Sequence, residues 1–152
     1  MGDLVEWLRA QLDEDERIAR ATDKTLGQGH LRWGAQPVDD AFSRVLTGRG
    51  WVVGTGEFKP EDAEYIAEWD PDRVLREIDA KRQVLKAYDK AVQTVEELSA
   101  VRDRLHARGQ DLLMTEMDLE SAIHRRDTLS GVLRLLALPY ADRPGYRKEW
   151  RP

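Results

Sequence analysis

The chain has 152 residues, no cysteine and a net charge of −5, with 35% charged and 41% hydrophobic residues. Without cysteine there is no disulfide, thiolate metal site or cysteine nucleophile, and the acidic balance gives no general attraction to nucleic acid or anionic membrane. Charge above the roughly 25% of an average protein suits helices with solvated faces; no apolar run approaches the ~20 residues that span a bilayer, and the start MGDLVEWLRAQ lacks a signal peptide's basic region and cleavage site, so a cytoplasmic protein is expected.

Residues 3–21 predict an amphipathic helix. Asp3 stands in N-cap position, and Leu4, Leu8, Leu12, Ile18 and Ala19 fall on one face. The run Asp13–Glu16 reads as solvated surface, because nothing apolar beside it would raise a carboxylate pKa. Residues 22–58 then change character. HLRWG, FSRVLTG and WVVG are short strand candidates, and TGRG between Leu46 and Trp51 is a hairpin turn signal. These predict a β-hairpin or three-stranded meander. So few strands are not stable alone, so they should pack on a helix through Trp33, Trp51 and Phe58. The glycines of GRGWVVGTG lie between and after strands, with no Gly-Lys-Ser/Thr behind them, so they read as turns and not as a phosphate loop.

Pro60-Glu61-Asp62 opens a helix, since proline fits the first helical position and acids suit the positive end of the dipole. It should stop near Trp69, where Asp70-Pro71-Asp72 repeats the signal. The next helix meets no proline or glycine before Gly109, and Leu85, Tyr88, Val92 and Val95 follow a bundle-like spacing. Gly109 is the expected stop and Asp111 the cap of a helix over 111–138, with Thr128–Gly131 a candidate kink and Leu138-Pro139 its end. A connection of two or three residues predicts an antiparallel helical hairpin.

A helix over 71–108 would be ~57 Å long, beyond the ~30 Å of a small domain, so the hairpin is expected to protrude. Its turn is apolar on more than one side, and large apolar patches mark interfaces. The expected partner is a second copy, giving a homodimer or higher homo-oligomer. Docking onto another protein is the alternative. The candidate self-association residues are Leu85, Val92, Val95, Leu98, Leu105, Leu112, Leu113, Met117, Leu119 and Ile123. In the tail, Tyr140, Tyr146 and Trp150 are candidate docking residues, expected to cover the apolar side of the N-terminal helix.

The sequence argues against several chemistries. His106 and His124 lie on opposite arms of the hairpin, roughly 15 Å apart at ~1.5 Å per residue, too far to share a metal. Ser121 and His124 share a helix face, but a helix interior has no free N–H groups for an oxyanion hole. Glu61 and Glu64 supply half of a magnesium-dependent pyrophosphohydrolase pattern; downstream, Glu77 and Asp79 are two apart and cannot share one ligand face. Neither metal nor cofactor is expected. Arginines gather at 102, 104 and 108, at 125, 126 and 134, and in the tail at 143, 147 and 151, with Lys148. Asp103, Asp111 and Asp127 interrupt them, so nucleic-acid binding is the alternative and not the leading reading.

Three stretches, LRLLALPYADRPGYRKEWRP at the end, LVEWLRAQLDEDERIARA at the start and DAEYIAEWDPDRVLREIDAKRQVL between, resemble a family of small uncharacterised proteins of Streptomyces-like actinobacteria and their phages. Many of those relatives carry cysteines before the LRLLALPYA element; this chain has none there, so a metal knuckle does not carry over. DAEYIAEWDP also resembles a stretch in early accessory proteins of lambda-like phages. Neither resemblance supplies an activity; both imply a phage- or actinobacterium-encoded accessory factor. The expectation is an α+β, mainly helical protein: a compact head over 1–70, a long helical hairpin over 71–137 and a tail over 138–152 packing on the head. Its expected function is non-enzymatic protein–protein interaction, with an unidentified protein partner and no membrane.

Overall fold

The structure is a computed structural model. It describes residues 1–26, 30–54 and 56–152, with side chains apart from those of residues 23–26. The sequence reading of 22–58 as a strand and turn region therefore includes residues 27–29 and Thr55, which lie outside the described residues. Four α-helices are described: α1 (Gly2–Leu26), α2 (Pro60–Glu68), α3 (Pro71–Ala107) and α4 (Leu113–Ala137). Strands β1 (Trp33–Pro37) and β2 (Ser43–Thr47) form an antiparallel pair. Two compact units result, one from Met1–Ala10 with Lys81–Pro152 and the other from Gln11–Ala80. The protein is thus α+β and mainly helical, as its sequence predicts.

The unit of Gln11–Ala80 is built around the strand pair. In β2, Ser43, Val45 and Thr47 are buried, and the partner side chains Trp33, Ala35 and Pro37 share their face. Helix α2 packs against both strands, with Ala63 fully buried. The strand pairing differs from the expected hairpin. β1 and β2 are joined by Val38–Phe42, where the Asp39 carboxylate accepts from the backbone N–H groups of Ala41 (2.8 Å) and Phe42 (2.9 Å). The expected TGRG turn does reverse the chain, with Gly50 at φ 80°. Beyond it only isolated bridges form, Leu46 to Val52 and Ser43 to Phe58. Trp51 is 60% exposed; it stands edge-on to the buried His30 ring, 5.7 Å between centroids.

His30 Nδ1 lies 2.9 Å from Thr47 Oγ1, and the His30 carbonyl accepts from Trp33 Nε1 at 2.8 Å. Asp70 fastens the start of α3 to β1. Its Oδ1 accepts from the Arg73 N–H at 2.7 Å and its Oδ2 from the Trp33 N–H at 3.2 Å. The first bond is the N-cap that Asp70-Pro71 predicts; the second is not foreshadowed by spacing.

The other unit holds the antiparallel hairpin formed by α3 from Lys81 onward with α4. Leu85, Tyr88, Ala91, Leu119, Leu133 and Ala137 are buried. Small residues line the approach of the two helices: Ala87, Ala91 and Thr94 on α3, Ser121 and Ala122 on α4. α3 stops at Gly109 as expected. The Gln110 N–H bonds to the Leu105 carbonyl (3.1 Å) and the Gly109 N–H to that of His106 (3.0 Å), with Gly109 at φ 63°. This is a Schellman cap, and it needs a residue free to adopt positive φ. The connection is five residues long (108–112), not two or three, because the cap takes its own residues before Asp111 accepts from the Leu113 N–H (3.0 Å). Gly109→Ala is expected to cost about 1 kcal/mol, read as a lower urea midpoint at constant m-value. α4 is one continuous helix through Thr128–Gly131.

Helix α1 departs from expectation in three ways. It runs on to Leu26. It begins at Gly2, so Asp3 lies in the first turn instead of capping it and meets Arg147 Nη1 at 2.8 Å. Ile18 is 51% exposed, whereas Leu4, Leu8, Leu12 and Ala19 are buried. At ~100° per residue, Ile18 sits about 100° from the centre of that stripe.

Candidate functional site

The hairpin turn carries the most exposed cluster of large apolar side chains. Leu113, Met114 and Met117 occupy the first turns of α4 and are 61%, 68% and 55% exposed. The N-cap position of α4 is Leu112 and not the expected Asp111, whose carboxylate instead accepts from the Leu113 N–H two residues on. The α3 end contributes Arg104 and Arg108, both exposed; Asp111, Glu116 and Asp118 stand exposed on the other side of the turn. Apolar surface thus lies beside charges of both signs.

The other candidate self-association residues are placed differently. Leu85 and Leu119 are buried inside the unit, while Val92, Val95, Leu98, Leu105, Leu112 and Ile123 are half-buried. A residue already buried within its own chain adds little fresh area to an interface, so Leu113 and Met117 are the members with surface to offer, and Met114 joins them. Burial pushes the Tyr88 phenol above its ordinary range, opposed by Arg126 on α4 and reinforced by Asp89 and Asp127.

In the tail, Tyr140 and Trp150 are buried and Tyr146 is half-buried. All three surround Trp7 of α1, at centroid distances of 6.4 Å (Tyr140), 5.6 Å (Tyr146) and 5.3 Å (Trp150). Trp7 Nε1 donates to the Pro144 carbonyl at 3.0 Å. Gly145 permits this closure twice over: its φ is 84°, and a Cβ there would come within 3.0 Å of Trp7 Nε1. Cations cover the outside, with the Arg143 guanidinium 4.7 Å from the Tyr140 ring centroid and Arg147 5.4 Å from that of Trp150. The tail is therefore packed on the first turns of α1.

The remaining candidates do not assemble into a catalytic array. Among the described residues, no three His, Asp or Glu side chains gather as metal ligands. His106, His124 and Ser121 are exposed, and the Ser121 hydroxyl donates to the Met117 carbonyl (3.0 Å). Several arginines pair with acids: Arg102 with Asp103 (2.7 Å), Arg126 with Asp127 (2.7 Å) and Arg147 with Asp3 (2.8 Å). Such pairing lowers the positive potential available to a phosphate backbone.

Sequence reasoning passed over one surface. Tyr65 on α2 is 68% exposed and Trp69, which caps its C-terminal end, 45%; their rings are 6.4 Å apart, and the Arg73 guanidinium lies 4.3 Å from the Trp69 ring centroid. The available signal was two aromatics four apart beside the Glu61/Glu64 pair on a nine-residue helix. Among the described residues, no helix is long and apolar enough to cross a membrane.

No curated protein and no solved structure matches this chain. A family model does match it throughout, over residues 1–152, and the chain belongs to that family, a family of unknown function designated DUF6221.

Proposed function

We propose that this protein is a non-enzymatic interaction protein that self-associates through the turn region of its helical hairpin. The observation that carries the reading is the exposed trio Leu113, Met114 and Met117. Burying three such side chains against a second copy would contribute ~1.5–3 kcal/mol each. Methionine suits an adaptable contact, and the flanking arginines and acids let one copy's negative groups meet the other's positive ones across a two-fold axis. The setting implied by the family resemblance is a phage- or actinobacterium-encoded accessory or regulatory factor.

The test is a pair of substitutions that leave the buried seam alone. Met114→Glu with Met117→Glu places charge in the proposed interface at two exposed positions. Sedimentation equilibrium is expected to show the dimer dissociation constant raised at least tenfold, a loss of about 1.4 kcal/mol or more, with an unchanged melting curve for the separated chains. An unchanged dissociation constant would move the interface elsewhere on the hairpin.

A further inference from the structure

One edge of the strand pair has a chemistry of its own. Val38 N–H bonds to the Phe42 carbonyl and Gly48 N–H to that of Arg32. The alternation of an antiparallel ladder then turns the backbone groups of residues 34 and 36 toward β2, and those of Trp33, Ala35 and Pro37 toward the opposite edge. The outer edge of β2 is covered by the returning chain: Ser43 exchanges two bonds with Phe58, the Val45 carbonyl accepts from Val53 and Thr47 donates to the Trp51 carbonyl, each at 2.8 Å. Among the described residues, the outer edge of β1 has no such cover. Asp70 takes the Trp33 N–H, and Pro37 has no N–H to give. Ala35 is left in the middle, with both its N–H and its C=O directed outward.

A groove runs beside this edge. Trp33 and Ala35 form its β1 side; Glu61, Glu64, Tyr65 and Glu68 form its α2 side. The small side chain of Ala35 keeps the groove open where the edge groups are free. Glu68 pairs with Arg73, but Glu61 and Glu64 form no ion pair with any described residue and are exposed. From Glu61 to Glu68 α2 rises ~10 Å, room for two alternate side chains of an extended peptide, ~7 Å apart.

We propose that β1 and α2 bind an extended, basic segment of a partner polypeptide by strand addition. The segment pairs with the backbone of Ala35, and its lysine or arginine side chains, on alternate positions, reach Glu61 and Glu64. An added strand gains affinity from main-chain bonds and specificity from alternate side chains; here the specificity is for positive charge. Asp70 and Pro37 at either end limit the exposed edge to one residue's pair of bonds, which blunts it against indiscriminate sheet extension. This inference is independent of self-association through the hairpin.

The probe is a fluorescein-labelled hexapeptide of alternating valine and arginine, titrated with the 152-residue chain and read by fluorescence anisotropy. Saturable binding is expected, with an alternating valine–glutamate hexapeptide at least tenfold weaker. Glu61→Lys with Glu64→Lys, both on the exposed face of α2, is expected to weaken the arginine peptide at least tenfold. A probe N-methylated at alternate amides, which cannot donate to an added ladder, is expected to lose binding in one methylation register and keep it in the other. Ala35→Pro, tolerable on an edge strand because the lost N–H faces outward, should reproduce that loss. Equal binding of the acidic and basic peptides, no measurable binding of the basic peptide, or full binding by both methylated registers overturns the proposal.

Discussion

Replacing Trp150 by alanine is expected to lower the unfolding free energy by about 3 kcal/mol, the lower end for a buried aromatic truncated to a methyl. The side chain is 7% exposed although it lies two residues from the end of the described chain. It packs 5.3 Å from Trp7 and 5.8 Å, edge to face, from Tyr146, and tilted or edge-on aromatic pairs add to what area burial alone supplies. For a chain of this length the loss corresponds to a drop of roughly 10 °C in melting temperature, measurable by calorimetry or by circular dichroism. Two comparisons make the cause specific. Leu135→Ala, at a 55% exposed position on α4, is expected to change stability by less than ~0.5 kcal/mol. Tyr146→Phe removes a hydroxyl that is buried without a hydrogen-bond partner among the described residues, so it should leave stability unchanged or slightly raised. A Trp150→Ala protein that melts with the wild type would mean that the tail does not contribute to the fold.

Asp70→Ala is expected to cost about 2–4 kcal/mol, because one carboxylate serves two elements. Loss of the bond to the Arg73 N–H removes an N-cap, worth ~1 kcal/mol. Loss of the bond to the Trp33 N–H leaves a part-buried donor unsatisfied, worth ~1–3 kcal/mol. Asp70 itself is 7% exposed, so water does not readily replace it. Asp70→Asn keeps one acceptor oxygen and should recover about half of the loss. The measurement is urea unfolding followed by circular dichroism at a helix wavelength. A loss below ~1 kcal/mol for Asp70→Ala would show that the bond to β1 contributes little.

The helices were legible because residues with local rules mark their ends. Pro60, Asp70-Pro71, Gly109 and Pro139 set boundaries through backbone sterics and capping, which depend on near neighbours only. The hairpin followed from its short connection. The strand pair was harder to read. In WGAQP the alternating positions Trp33, Ala35 and Pro37 include only one large apolar side chain, and four of the five positions are exposed, so the period-two signal that marks a half-buried strand is weak. The turn signal TGRG was real, but it joins β2 to a segment that makes only isolated bridges. Long-range partners were the least accessible. Tyr140, Tyr146 and Trp150 stood out as a group, yet their shared contact, Trp7, lies more than 130 residues away and off the Leu4–Leu8–Leu12 stripe. The second bond of Asp70, to a backbone 37 residues earlier, likewise leaves no trace in spacing. Glu61 and Glu64 were visible as a pair and were weighed only as metal ligands; the uncovered strand edge beside them gives them a different context.

The proposed role rests on apolar side chains at the turn finding a second copy. Light scattering on the purified chain over a range from low to high micromolar concentration tests this most directly. A species of at least twice the 17.5 kDa of one chain is expected, reduced to a single chain by Met114→Glu with Met117→Glu. A mass of 17.5 kDa at every concentration would contradict it.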